Sequence, residues 1–280
     1  MVDAVAILLR ALSFIALFQA AGAVVFLLLY GEALPVCRAP ILGTARRAAI
    51  IAALLVLAHY VSQSAQLAGD FTGVLDSSLQ RLLWHSPAGS ALCLRVGGLA
   101  LVLAGLGHWR PLSLAGLVLI VASFLVIGHT VGHAHRAVLA VLLVFHLLAV
   151  LFWFGSLWPL RQVVAREAPV FGAALLERFS HHALWIVLML PVAGAGLMLL
   201  LVPGLAVFTH AYGELLLAKV GGFVVLMGVA ALNKLRLTPA LSRHEAAAAS
   251  KLQHSLLIEY LLVGAVLVIT AVMSGLYSPD

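Results

Sequence analysis

Charge is scarce in this chain. Charged residues make up 9% of 280 positions, against roughly a quarter in a soluble domain. With a mean hydropathy of +1.16, that shortage excludes a soluble globular protein and leaves a polytopic integral membrane protein. Cysteine is also scarce. Cys37 and Cys93 are the only two; one falls on the inner side and the other near the outer end of the third apolar run, so no disulfide framework is implied. Known catalytic motifs are missing: there is no P-loop, no HExxH and no phosphorylatable aspartate loop. Paired intramembrane carboxylates of a cation antiporter are absent too. The chain is therefore expected to be no enzyme, and whatever it moves, it moves without hydrolysing ATP. Alternation of period two is missing, which excludes a β-barrel. No loop is long enough for an appended soluble domain.

What remains is long apolar runs. A helix crossing the hydrocarbon core needs about 20 apolar residues, because each adds about 1.5 Å and backbone polar groups must pair within the segment. Such runs lie at about 4–30, 44–68, 89–106, 111–131, 137–159, 183–203, 213–233 and 255–276. The expectation is all-α: a single transmembrane domain over 1–280 with eight helices. The first run lacks a basic leader and a cleavage site, and reads as a retained helix. Arg38, Arg46, Arg47, Arg110, Arg161, Arg166, Arg178, Lys234, Arg236, Arg243 and Lys251 all fall in alternate loops. Cytoplasmic loops collect Lys and Arg, so both termini are placed outside, in the periplasm of a bacterial cytoplasmic (inner) membrane. The same bias explains the pI of about 9.8. It points to the lipid bilayer and its anionic headgroups as partners, not to nucleic acid.

Against 10 acidic residues stand 12 histidines. In this topology His85, His129, His133, His135 and His210 reach the outer face, and the densest segment is GHTVGHAHR at Gly128–Arg136. His129 and His133 are four apart, on one face if the helix persists, and such a pair can chelate one transition-metal ion. The alternative is a set of interfacial polar residues ending a helix. His59, Gln63 and Gln66 form a stripe at i, i+4 and i+7, either a ligand set or a hydrogen-bonded seam between helices. His146 lies roughly 14 Å below the outer surface, where an ionisable group is by default a functional candidate. Met198 and Met273 fall near outer helix ends and could serve as weaker thioether ligands. Lys219 and Glu259 are intramembrane polar residues with structural roles open to them; for Glu259 the candidate partners are Arg178, Asn233 and Lys234. His181 and His182 read as ordinary residues of the inner boundary.

From about residue 128 to 276 the chain resembles the copper resistance D family, the CopD/PcoD integral membrane proteins. The likeness rests on GHA at Gly132–Ala134, FHLLAVLFWFGSLWPL at Phe145–Leu160 and ERFS at Glu177–Ser180. It continues in YGELLLAKV at Tyr212–Val220, ALNKLRLTP at Ala231–Pro239 and SLLIEY at Ser255–Tyr260. The first four runs contribute no matched motif. The resemblance implies copper handling at the cytoplasmic membrane, with uptake of copper delivered from the periplasm. It also implies a separate CopC-like copper-binding partner, since some family members carry that domain fused. An imidazole-rich, carboxylate-poor mouth agrees on a transition metal over Ca or Mg, but copper rather than zinc or nickel rests on the resemblance.

Two functional classes follow. In the first, copper docks at His129, His133 and His135, with His85 or His210, and passes to a deeper site of His146, His59 and Gln63. In the second, His59 and His146 are axial ligands of a haem between facing helices. A metal-binding sensor or scaffold that transports nothing is a third possibility.

Overall fold

The computed structural model describes residues 1–128, 132–202 and 204–277. Among these residues there are helices and turns and no strand. In chain order the helices are α1 (Val2–Tyr30), α2 (Arg38–Ala68), α3 (Ser77–Trp84), α4 (Pro87–Gly105), α5 (Arg110–Ala122), α6 (Arg136–Arg166), α7 (Pro169–Leu201), α8 (Ala211–Leu232), α9 (Thr238–Ser242) and α10 (Ala248–Leu276). Seven of them are long and apolar enough to cross a membrane, α8 doing so together with its continuation to Ser242. The multi-pass reading therefore stands.

The fourth run departs from expectation. It is helical only as α5, 13 residues or about 20 Å, against a hydrocarbon core of about 30 Å. The cause is tertiary. Ser123 Oγ turns back to the Ile120 carbonyl at 2.6 Å and accepts from Arg95 Nε at 3.1 Å. Phe124 then stacks on Phe18, with ring centroids 5.5 Å apart, so the chain bends into the bundle. Gly128 follows at φ +97°, a conformation that continues no right-handed helix. Elsewhere the helices outrun the apolar stretches. α6 extends to Arg166 and α7 begins at Pro169, where a proline fits because the first helical N–H needs no partner.

α1 is the axis of the bundle. Of its apolar window 61% is buried, against 6% for α7 and for α8, so those two helices lie at the periphery of the bundle. α1 packs on α2, α6 and α10. Its contact with α6 is a glycine pair: a Cβ on Gly22 would lie 2.2 Å from the Leu151 carbonyl oxygen, and one on Gly155 would lie 2.2 Å from Gly22 Cα. Close backbone approach through small residues is how helices associate where lipid removes the hydrophobic drive. Gly98 and Gly116 play the same part between α4 and α5.

Two contacts fix which helix ends share a side. Glu167, closing α6, accepts from the backbone N–H of Val36 and Cys37 after α1, at 3.0 and 2.8 Å. Glu32, also after α1, pairs with Arg110 at the start of α5 at 2.6 Å. The basic residues around positions 38–47, 110 and 161–166 therefore gather at one end. The start of α6, with His133 and His135, belongs to the other.

Candidate functional site

α6 organises the candidate site. His135, His146 and Trp153 are spaced by 11 and 7 residues, close to three and two helical turns, so one face presents all three positions. His135 sits at the N-cap of α6 and His133 in the turn before it. From Gly132 to His135 the chain forms bends and a turn, and the His133 and His135 rings lie 5.7 Å apart between centroids. The His135 backbone N–H donates to His133 Nδ1 at 3.1 Å. The neutral ring then carries its proton on Nε2, and a metal at either nitrogen would displace this bond or shift the tautomer. His129 lies outside the described residues. Among those described, no three His, Cys, Asp or Glu side chains gather at metal-binding distance.

His146 is half-buried on α6, roughly 15 Å along the helix from Arg136. Its ring rests on the bare face of Gly194 in α7; a Cβ there would meet the Cε1 and Nδ1 atoms at 3.8 Å. The backbone of Leu190 on α7 lies within hydrogen-bonding reach of the ring, but the buried Nδ1 makes no well-formed bond, a weak arrangement for a polar atom in an apolar surround. The charge of Lys219 on α8 reaches this ring.

His59 faces elsewhere. It is buried in α2 and feels the guanidiniums of Arg10 on α1 and Arg95 on α4. Its helix packs on α1 and α4, whereas α6 packs on α1, α7 and α10. The structure thus does not join His59 to His146, and two neighbouring cations oppose a metal ion at His59. Of its stripe, Gln63 is half-buried and Gln66 donates to Asp3 Oδ1 at 3.1 Å. His85 and His210 are exposed at the ends of α3 and α8. Met198 and Met273 are half-buried on α7 and α10, which share no extensive packing contact.

Glu259 occupies a built polar niche. It is 3% exposed and accepts from Trp153 Nε1 at 3.2 Å and from Asn233 Nδ2. Asn233 was among its expected partners. Trp153 was not, although an indole in the middle of an apolar run is a recognisable donor in search of an acceptor. At the opposite end from the histidine turn, Tyr30 is 1% exposed and its hydroxyl lies 2.8 Å from His182 Nδ1. His182 is thus tied into the α1–α7 contact, contrary to its reading as an ordinary boundary residue. Cys37 offers little to a soft metal. Burial, then the neighbouring carboxylate of Glu167, push its thiol up to about 11, and its S–H donates to the Gln162 carbonyl at 3.3 Å.

A helical bundle with an imidazole turn at one end of α6 and a lone imidazole deeper on the same face defines a multi-pass membrane protein with metal-competent side chains. Two family profiles match the chain: Copper resistance protein D over residues 173–273, and Copper resistance protein D-like, N-terminal domain over residues 1–138. The chain belongs to the copper resistance D family, which associates it with copper handling. The second match extends to the first four runs, where no motif was legible. No curated protein and no solved structure matches the chain.

Proposed function

We propose that this protein carries copper from the periplasm across the bacterial cytoplasmic membrane, without enzymatic activity, as part of copper homeostasis or resistance. Copper, the cargo, docks at the turn that carries His133 and His135, with His129 as a further ligand by sequence, and moves along α6 to His146. The observation that carries this reading is the deep imidazole of His146, whose buried Nδ1 makes no well-formed hydrogen bond. Its position, on the same face as His135 and one third of the way along the helix, suits a relay. Neutral imidazoles exchanged one at a time let the ion shed water without crossing hydrocarbon as a bare charge. His59 stands apart beside its two guanidiniums and takes no part in this path. Eight crossings with both termini periplasmic fit the helix-end pairings, since α5 starts on the side where α1 and α6 end. A periplasmic CopC-like protein is the proposed donor.

The test is uptake into proteoliposomes. Purified protein is reconstituted, copper is supplied outside, and internal copper is measured by elemental analysis beside an absorption spectrum. Protein-dependent copper entry without a Soret band is expected. A Soret band with no copper entry would instead establish the haem reading.

A further inference from the structure

At the end of the bundle that carries Arg46, a cavity of about 480 Å³ opens between α2, α6 and α10. At about 30 Å³ per water molecule, it has room for a ligand with several waters. Arg47, Arg161 and Arg166 line it with Thr44, Trp158 and Gln253, and no Asp or Glu is in the lining. Glu167, the acid next in sequence to Arg166, is already held by the Val36 and Cys37 backbone N–H groups. Three guanidiniums around one hollow repel one another unless a counter-charge enters. Arg161 is held in place: its Cζ lies 5.2 Å over the Trp158 ring, and its Nε is buried with no hydrogen-bond partner. Thr44 and Gln162 brace the wall through a 3.2 Å bond.

We infer that this cavity binds a phosphate group. Guanidiniums are planar, multiply donating and always charged, which suits tetrahedral oxyanions. A free divalent cation is excluded by the same charge, so the hollow is no exit for copper. The phosphate can come from the headgroup of an anionic lipid, for which basic hollows between membrane helices beside an interfacial tryptophan are apt, or from free phosphate. The inference does not depend on the copper path.

The full-length protein in neutral detergent supplies the test, by native mass spectrometry and thermal unfolding. Phosphatidylglycerol should remain bound and raise the Tm, whereas a neutral glycolipid without phosphate should do neither. Arg47→Gln should weaken phosphatidylglycerol binding about tenfold, and Arg47→Gln with Arg161→Gln about a hundredfold, each removing a charge-assisted contact. Arg46→Gln, an exposed neighbour outside the lining, should change nothing. If inorganic phosphate alone raises the Tm as much as the lipid does, the site stands with a soluble ligand. The proposal is overturned if neither phosphatidylglycerol nor phosphate has an effect, or if Arg46→Gln weakens binding as much as Arg47→Gln. The wild-type comparison of lipid, glycolipid and phosphate decides the matter even if the double variant fails to fold.

Discussion

Gln19 on α1 donates its side-chain N–H to the Gly155 carbonyl on α6 at 3.4 Å, and that carbonyl is the one Pro159 leaves without a partner four residues on. Proline inside a helix removes one backbone bond. In lipid no water replaces it. A glutamine from the neighbouring helix does so here, within one turn of the Gly22–Gly155 crossing. A proline, a glutamine and a glycine pair form a single joint between two deeply packed helices.

Gln19→Leu should therefore destabilise the protein by about 1–3 kcal/mol, since it leaves a buried carbonyl orphaned. Gly155→Ala should cost about as much or more, because the new methyl meets backbone that cannot rotate away. Thermal unfolding in detergent checks both. A Tm unchanged in Gly155→Ala would show that α1 and α6 do not meet at this crossing.

The outline of the fold was legible because the bilayer imposes it: runs of membrane length and basic residues in alternate loops both carry direct physical meaning. His146 was legible for the same reason, a polar side chain alone in an apolar run. What depended on packing was hidden. Within residues 111–131 only Ser123 and Gly128 hint at a stop; Arg95 and Phe18, both distant in sequence, hold the bend after Ala122. The Trp153–Glu259 and Tyr30–His182 pairs were invisible until the helices carrying them were set side by side. That the main packing partners of His59's helix, α1 and α4, differ from those of His146's helix was hidden likewise, and it is what weakens the bis-histidine haem geometry.

Glu259 offers a direct probe of the buried niche. Its carboxylate accepts from Trp153 and Asn233 together. Glu259→Gln replaces one acceptor oxygen with a donor, so one of the two N–H groups loses its partner and stability should fall by about 1–3 kcal/mol. Glu259→Ala should cost more. Tryptophan fluorescence should move in both variants as the Trp153 indole changes its surroundings; an unmoved spectrum and Tm would separate Glu259 from Trp153.

The histidine turn should matter more than histidines at the other end. His133→Ala with His135→Ala should reduce copper uptake by about tenfold or more, as losses around metal ligands do. His108→Ala with His181→Ala should leave it near wild type. His182→Ala belongs to neither group: it should lower the Tm by removing the partner of the buried Tyr30 hydroxyl, with uptake lost only in proportion to folded protein. Equal loss of uptake per folded molecule from all three would show that the histidine turn has no special place in the path.

His146 gives the sharpest test of the proposed path, because ligand and structural roles predict different outcomes for one pair of variants. Alanine suits a transmembrane helix, and the ring it removes makes no well-formed hydrogen bond at Nδ1, so His146→Ala should insert and fold with a Tm at or near the wild-type value while uptake is lost. Glutamine keeps hydrogen-bonding capacity but ligates copper poorly, so His146→Gln should fail in uptake as well. A structural histidine would reverse the pattern: alanine would lower the Tm, and glutamine would restore both stability and transport. Lys219→Met separates the two further. Removing a cation near the ring should tighten copper binding at His146, since like charges repel strongly where water is scarce. Copper affinity measured on Lys219→Met and on the double variant with His146→Ala should show a gain in the first and none in the second. A gain that survives the loss of His146 would place the deep copper site elsewhere in the bundle.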